Sequence, residues 1–164
     1  MMKSGSKERK GIEMAERKLT IIFGTETGNA EELAEDTAIL AKKYDLTPNV
    51  VDMEDISADQ ISEFERLVVV CSTWGEGDQP VNAQDLYDDV CELGESNLEK
   101  INFAVLALGD SAFEFFCESG KEWDSILEKK GGSRINERID CDTDYDDYVE
   151  EWINDTLGLL KDVE

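Results

Sequence analysis

The stretch LTIIFGTETGNAEE (residues 19–32) joins an apolar run to a glycine- and hydroxyl-rich turn, which is followed by a helical pattern. Residues 19–23 are rich in β-branched and aromatic side chains, which predicts a buried strand. The turn offers backbone N–H groups at a helix N-terminus, with the hydroxyls of Thr25 and Thr27 and the amide of Asn29, and such groups bind anions. A strand, an anion-binding turn and a helix in succession indicate the first unit of an α/β domain.

The turn contains no lysine or arginine, and Glu31 and Glu32 follow it directly. Its spacing is neither G-x-x-x-x-G-K-[ST] nor G-x-G-x-x-G, which excludes both common nucleotide-binding motifs. Each hydrogen bond to a charged acceptor contributes about 1.5–3 kcal/mol net, so several of them hold a phosphate dianion without a lysine. The turn therefore predicts a phosphate site whose charge stays unpaired, and an ordinary helix-starting turn is the alternative.

Short β-rich runs alternate with helical patterns along the rest of the chain. The predicted strands cover residues 19–23, 49–52, 67–71, 101–108 and 133–139. The predicted helices cover residues 33–44, 83–90, 123–130 and 145–160, with Asn82 expected to cap the second of them. The third and fourth strands are nearly all apolar, as in a parallel sheet covered on both faces. Five right-handed βα units in an open, doubly wound sheet are predicted.

Ligands of doubly wound sheets bind at the carboxyl ends of the strands, so three loops matter most. The second loop, residues 72–78, carries Trp74, which is either a core anchor or a wall for a flat ligand. The third loop, residues 108–117, carries Phe113, Phe115 and Phe116, too many aromatic rings for one short loop to bury. A phosphate-binding turn with two aromatic walls fits flavin mononucleotide (FMN) better than a sugar phosphate.

Acidic charge dominates the composition, with 40 Asp and Glu against 16 Lys and Arg and a net charge of −24. Such a surface disfavours nucleic acid and anionic membranes and favours a basic protein partner. The alternative is that the acidity serves only solubility. The chain has no histidine, which removes the usual general base and the commonest metal ligand. Chemistry is therefore expected from a bound cofactor, with no catalytic side chain and no metal.

The four cysteines have neither metal-site nor disulfide spacing, which predicts reduced thiols in a cytoplasmic protein. No apolar run is long enough for a membrane span, and the first 18 residues lack the apolar region of a secretory signal. Residues 1–18 are expected to be a disordered extension, in which Met14 is a possible start. Residues 19–164 are expected to form the folded domain.

The three loops together resemble those of the flavodoxin family, and the similarity runs from residue 19 to residue 160. The turn T-x-T-G-N-A at residues 25–30 is similar to the family's FMN-phosphate loop. The stretches STWGEGDQPVNAQDLYDDV (72–90) and LGDSAFEFFCESGKEWD (108–124) resemble the FMN domains of diflavin reductases, especially the sulfite reductase flavoprotein type. The resemblance implies a flavodoxin-like five-stranded parallel sheet of order 2-1-3-4-5, with helices on both faces.

The resemblance also implies that Trp74 and Phe113 flank the isoalloxazine ring of FMN, with Asp140 near its rim. Phe113 stands where this subgroup usually has tyrosine, which keeps the stacking and removes a hydroxyl. The expected cofactor-binding residues are Thr25, Glu26, Thr27, Gly28, Asn29, Ala30, Ser72, Thr73, Trp74, Gly75, Gly77, Leu108, Gly109, Asp110, Phe113, Phe116, Cys117 and Asp140.

The function implied is that of an FMN-dependent one-electron carrier between a reductase and an acceptor enzyme. A turn of the Trp74–Gly75 peptide would let the Gly75 carbonyl accept a hydrogen bond from the protonated N5 of a neutral semiquinone. The lysine-free loops would make the hydroquinone a low-potential donor, because its negative charge meets an unpaired phosphate. An electron-transfer protein is expected rather than a stand-alone enzyme, since NADPH- and FAD-binding modules need several hundred further residues.

An acidic rim is expected to steer this carrier, as a monomer, onto basic surfaces of its reductase and acceptor. Its residues are Glu76, Asp78, Asp110, Glu114, Asp140, Asp142 and Asp144.

Three other hypotheses remain from the sequence. The chain is alternatively the isolated FMN domain of a diflavin reductase, although the absence of a linker after the last helix favours a free-standing carrier. A flavin-free binding module of the same fold is the second. A phosphoacceptor signalling domain is the third, and it needs an acidic pair after the first strand and a lysine after the fifth. Those strands are followed by Gly24 and Thr25 and by Asp140, which disfavours it.

Overall fold

The computed structural model describes residues 17–25, 28–74 and 77–163. Within them, one parallel sheet forms the centre of the molecule. Its strands are β1 (Lys18–Gly24), β2 (Thr47–Asp52), β3 (Arg66–Ser72), β4 (Asn102–Leu108), β5 (Ser133–Arg134) and β6 (Ile139–Cys141). The order is β2-β1-β3-β4, with β5 and β6 both pairing with β4. The predicted order 2-1-3-4-5 is confirmed, with two short strands sharing the fifth position.

The fifth strand, predicted as one run over residues 133–139, is divided. Its first part pairs with the start of β4 and its second part with the end. Arg134 and Arg138 both reach the buried carboxylate of Asp124, with nitrogen–oxygen distances of 2.8 Å and 2.9 Å. An edge strand has a neighbour on one side only, so the backbone between its two parts can leave the ladder with little loss.

Helices cover both faces of the sheet. They are α1 (Asn29–Ala41), α2 (Ala58–Ile61), α3 (Val81–Cys91), α4 (Glu118–Lys129) and α5 (Val149–Lys161). Buried residues of α1 and α5 join one core cluster, and those of α2, α3 and α4 join the other. The four-residue α2 was not predicted because one turn shows no period, although Ser57 and Gln60 form a capping box around its start. No helix in the described part of the chain is long and apolar enough to cross a membrane.

Alternation along the strands explains their continuous apolar runs. In β1, Ile21 and Phe23 enter the cluster beneath α1 and α5, whereas Ile22 between them enters the opposite cluster. In β3, Val68 and Val69 divide in the same way. Successive side chains of a strand point to opposite faces, so a strand covered on both sides must be apolar at nearly every position.

Helix α4 lies directly on β4. A Cβ atom placed on Gly120 would lie 2.2 Å from the Cβ of Ala107, which is far inside van der Waals contact. By contrast, a Cβ atom on Gly158, within α5, would meet only Tyr44 Cε1 at 3.8 Å, an ordinary contact. Close packing against β4 therefore requires a glycine at position 120, whereas the space around position 158 would accept an alanine.

We expect Gly120→Ala to lower the free energy of unfolding by about 1–3 kcal/mol, because the added methyl forces α4 away from β4. Gly158→Ala is the matched control. It is expected to raise the free energy of unfolding by up to about 1 kcal/mol, because alanine has a higher helix propensity than glycine. Urea unfolding followed by circular dichroism measures both. Equal effects of the two substitutions would contradict the tight α4–β4 contact.

Candidate functional site

A cavity of about 610 Å³ opens at the carboxyl edge of the sheet, where β1, β3, β4 and β6 end. Its volume lies in the range of small-molecule sites. The cavity is lined by Asn29, Ser72, Thr73, Trp74, Leu108, Gly109, Asp110, Phe113, Phe115, Phe116, Asp142, Thr143 and Tyr145. The three predicted loops thus meet at one place, together with a fourth segment that follows β6.

The first loop is held by its own threonine. Thr25 Oγ1 accepts a hydrogen bond of 2.9 Å from the backbone N–H of Gly28. Gly28 occupies the N-cap position of α1 with φ of 95°, a left-handed conformation that glycine adopts at little cost. No described side chain caps α1. Within the described residues, no side chain therefore competes with an anionic ligand for the first N–H groups of the helix, which begins with Asn29 at the cavity wall.

The prediction that Asn82 caps α3 is wrong. The helix begins at Val81, with Pro80 at the N-cap position, so Asn82 already lies inside the first turn. Its side chain reaches the first loop instead, where Oδ1 accepts a 2.9 Å hydrogen bond from the backbone N–H of Thr25. Its Nδ2 donates to Asp52 Oδ1, also at 2.9 Å. The side chain of Asn82 thus makes hydrogen bonds to other elements and does not cap its own helix.

Two aromatic rings line the cavity while remaining exposed. Trp74 is 50% exposed and Phe113 is 64% exposed. The backbone of Trp74 is held by two hydrogen bonds with Asp78, of 2.9 Å and 2.7 Å, across the tip of the second loop. Neither ring belongs to a core cluster of the protein. Large exposed rings around one cavity indicate a ligand-binding surface.

The second and third loops touch at Gly77 and Phe115. A Cβ atom on Gly77, whose φ is 95°, would lie 3.0 Å from the Cβ of Phe115. Phe115 also lines the cavity, although it was not among the expected cofactor-binding residues. Its membership of the aromatic run at residues 113–116 was the signal that pointed to it.

The base of the third loop is closely packed. A Cβ atom on Gly109 would lie 2.7 Å from the backbone nitrogen of Cys117, so no larger residue fits there. The Cys117 thiol is buried and lies 3.6 Å from the carbonyl oxygen of Ala107. Burial raises the pKa of the Cys117 thiol to about 12, which keeps it protonated. Cys117 packs against the start of the third loop at Gly109 and does not line the cavity.

The fourth segment is tied to the third loop by Asp142. Its carboxylate accepts hydrogen bonds from the backbone N–H of Ser111, at 3.0 Å, and from the Ser111 hydroxyl. It also accepts one of 2.8 Å from the N–H of Thr143. The Ser111 hydroxyl and these N–H groups lower the pKa of Asp142, so the carboxylate at the cavity wall stays ionised. Asp142, Thr143 and Tyr145 line the cavity but are not among the expected cofactor-binding residues, although they follow a strand that ends at this edge, and of the three only Asp142 belongs to the expected acidic rim.

Asp140 is placed differently from Asp142. Its carboxylate pairs with the Arg138 guanidinium at 2.7 Å, and it is not among the residues that line the cavity. The hydrogen bond that Arg138 donates to the Asp140 carboxylate raises the pKa of Arg138. One carboxylate of the expected acidic rim is therefore neutralised by a neighbouring cation.

The structure gathers about half of the expected cofactor-binding residues at the cavity wall. They are Asn29, Ser72, Thr73, Trp74, Leu108, Gly109, Asp110, Phe113 and Phe116. Thr25, Gly28, Ala30, Gly77, Cys117 and Asp140 are described but do not line it. Glu26, Thr27 and Gly75 lie outside the described residues, as does Glu76 of the expected rim. The described residues contain no group of three or more side chains suited to hold a metal ion.

The residues present fit FMN. The exposed rings of Trp74 and Phe113 at the cavity wall suit a planar ring system, and the start of α1, which no described side chain caps, suits a phosphate. None of the described residues that line the cavity is a lysine or an arginine. The donor set therefore consists of backbone N–H groups, hydroxyls and amides.

The chain is similar to known proteins in sequence and in fold. The family model described as "Flavodoxin" matches residues 21–152. The sulfite reductase [NADPH] flavoprotein alpha-component of Bacillus subtilis is 41% identical over 145 residues, and that of Vibrio parahaemolyticus is 39% identical over 145 residues. Each alignment covers 88% of this chain, and the chain spans about a quarter of each relative, 24% and 23% respectively.

Solved flavodoxin structures superpose on most of the chain. A cysteine-to-alanine variant of Pseudomonas aeruginosa flavodoxin is 26% identical with a TM-score of 0.77, and the alignment covers 88% of this chain and 99% of that one. Oxidised flavodoxin 1 of Bacillus cereus has a TM-score of 0.78 at 23% identity, covering 90% and 99% of the two chains, a likeness of fold. The sequence match over residues 21–152, on a sheet of the same order, means that the chain belongs to the flavodoxin family.

Proposed function

We propose that the chain binds FMN and carries single electrons between a reductase and an acceptor. Membership of the family implies a flavin cofactor. The observation that carries the proposal is the pair of exposed rings, Trp74 and Phe113, in a cavity that also reaches the start of α1 at Asn29. When bound, FMN supplies the ability to take up and release electrons one at a time.

The side chains and backbone have distinct tasks in this proposal. Trp74 and Phe113 give the ring system apolar faces and exclude water from it. The N–H groups at the start of α1 hold the phosphate, where the helix dipole favours negative charge. The loop of residues 108–117 surrounds the remaining edge, kept in shape by the Gly109–Cys117 contact. No side chain acts as an acid or a base.

Negative charge at the cavity lowers the potential at which the bound cofactor takes up an electron. Asp110 and Asp142 line the cavity, and hydrogen bonds from Ser111 and Thr143 keep Asp142 ionised. No lysine or arginine stands among the described lining residues to offset them. Adding negative charge to the cofactor is therefore unfavourable, and each ~1.4 kcal/mol of repulsion lowers a one-electron potential by about 59 mV. The bound cofactor acts as a strong electron donor.

A second candidate function is that of the FMN-binding part of a longer NADPH-dependent flavoprotein. The observation in its favour is the 41% identity over 145 residues to a protein of which the chain spans 24%. The two candidates share the site and the one-electron chemistry. They differ in whether the electron donor is a separate protein or another part of the same one.

Trp74→Ala and Phe113→Ala are each expected to raise the Kd for FMN on the order of tenfold, because an aromatic stacking partner contributes about 0.5–1.5 kcal/mol beyond the area it buries. Quenching of flavin fluorescence during titration of the cofactor-free chain measures the Kd. Ile39→Ala, at an exposed residue of α1 away from this cavity, is the control and should leave the Kd unchanged. Failure of the unaltered chain to bind FMN would refute the proposed function.

The FMN-loaded, reduced chain should reduce cytochrome c, a basic protein, at a rate that falls as salt is added, because salt screens the attraction between opposite charges. Glu114→Gln combined with Asp144→Asn, at two exposed carboxylates beside the cavity, should reduce that salt dependence. Stopped-flow absorbance gives the rates, and benzoquinone, which is uncharged, is the control oxidant. A rate to cytochrome c that is insensitive to salt would leave the acidic surface with a solubility role alone.

A further inference from the structure

Asn82 joins three elements with one amide group. Its Oδ1 accepts from the backbone N–H of Thr25 at 2.9 Å, just beyond β1. Its Nδ2 donates to Asp52 Oδ1 at 2.9 Å, at the end of β2, and to the carbonyl oxygen of Phe23 at 3.4 Å. Both ends of the amide are therefore used, although the residue belongs to α3.

The orientation of this amide is set by its partners. Asp52 Oδ1 also accepts a 2.8 Å hydrogen bond from the N–H of Glu54, at the start of the 3₁₀ turn Met53–Asp55. A carboxylate only accepts hydrogen bonds, so the Nδ2 end of Asn82 must face Asp52. The Oδ1 end then faces the N–H of Thr25, and the opposite orientation would leave two acceptors opposed.

Close packing brings Asn82 to this position. A Cβ atom on Gly24, the last residue of β1, would lie 2.8 Å from the Cβ of Ala83. The first turn of α3 therefore rests against the end of β1. Any residue at position 82 is held beside the first loop, and an amide there can bond the N–H of Thr25.

The hydrogen bond to Thr25 extends to the start of α1. Asn82 holds the backbone of Thr25, and the Thr25 hydroxyl holds the N–H of Gly28, the N-cap residue of α1. The two bonds fix both ends of the turn that precedes the helix. Asn82 itself does not line the cavity, so its effect on a ligand passes through Thr25.

We propose that Asn82 is a positioning residue for the cofactor phosphate. It holds the backbone of Thr25, and through the Thr25 hydroxyl that of Gly28, in place before the cofactor arrives, which removes an ordering cost from binding. This inference rests on the proposed function, because it takes the phosphate of FMN as the ligand of that turn. A purely structural tie would instead affect ligands with and without a phosphate alike.

The test compares FMN with riboflavin, which has the same ring system and no phosphate. Asn82→Ala is expected to raise the Kd for FMN on the order of tenfold, the scale of one or two hydrogen bonds to the turn, and to change the Kd for riboflavin less than about twofold. Gln84→Ala is the matched control, because Gln84 lies two residues along α3 and its side chain donates to Asp88 of the same helix, at 3.0 Å. It should change neither Kd.

A residue exchange tests the direction of the hydrogen bonds. Asn82→Asp sets a second carboxylate against Asp52 and should weaken FMN binding further. Adding Asp52→Asn restores one donor and one acceptor at that contact and should recover most of the FMN affinity. In the cofactor-free chain, hydrogen exchange at the Thr25 amide should speed up in Asn82→Ala and return toward its original rate in the exchanged pair.

The outcomes separate the two proposals. If the unaltered chain binds FMN and Asn82→Ala weakens FMN and riboflavin equally, or weakens neither, the positioning role is overturned while the proposed function stands. Failure of the exchanged pair to recover FMN affinity also overturns it. If the unaltered chain binds no FMN, both proposals fall.

Discussion

The site depends on the register of parallel strands that end at one level. Hydrogen-bonded pairing sets Phe23 opposite Asp52, and Gly24 opposite Cys71. It also sets Ser72 opposite Leu108, which in turn faces Cys141. Each strand is therefore followed by its loop at the same edge, and residues far apart in sequence become neighbours. A shift by one residue would exchange the side chains of the two faces and disrupt the packing of both core clusters against their helices.

The described arginines near the site form ion pairs outside the cavity and do not line it. Arg134 and Arg138 are paired with Asp124, and Arg138 also with Asp140, outside the cavity. The described residues at the cavity wall include Asp110 and Asp142 and no cation. Positive charge in this region is thus used to secure the divided edge strand against α4. The described cavity wall offers backbone N–H groups, hydroxyls, amides and aromatic faces, together with the carboxylates of Asp110 and Asp142.

The sequence predicted the first four strands to within about two residues because their apolar runs are nearly unbroken. It predicted the loops of the site because parallel strands share a carboxyl edge. It did not predict the division of the edge strand, which depends on ion pairs to Asp124 from another element. It assigned Asn82 to a local cap, whereas tertiary contact between Gly24 and Ala83 directs that side chain to Thr25. Capping and periodicity patterns describe neighbours in sequence, so they do not predict contacts between elements that are distant in sequence.

We propose that the acidic cavity, whose described lining residues include no lysine or arginine, binds FMN and makes it a strong one-electron donor. Stepwise anaerobic reduction of the FMN-loaded chain, with the visible spectrum recorded at each potential, tests this proposal. We expect two separate one-electron steps, with the second at least about 59 mV below the corresponding step of free FMN, equivalent to about 1.4 kcal/mol of repulsion. A second step at the potential of free FMN would contradict it.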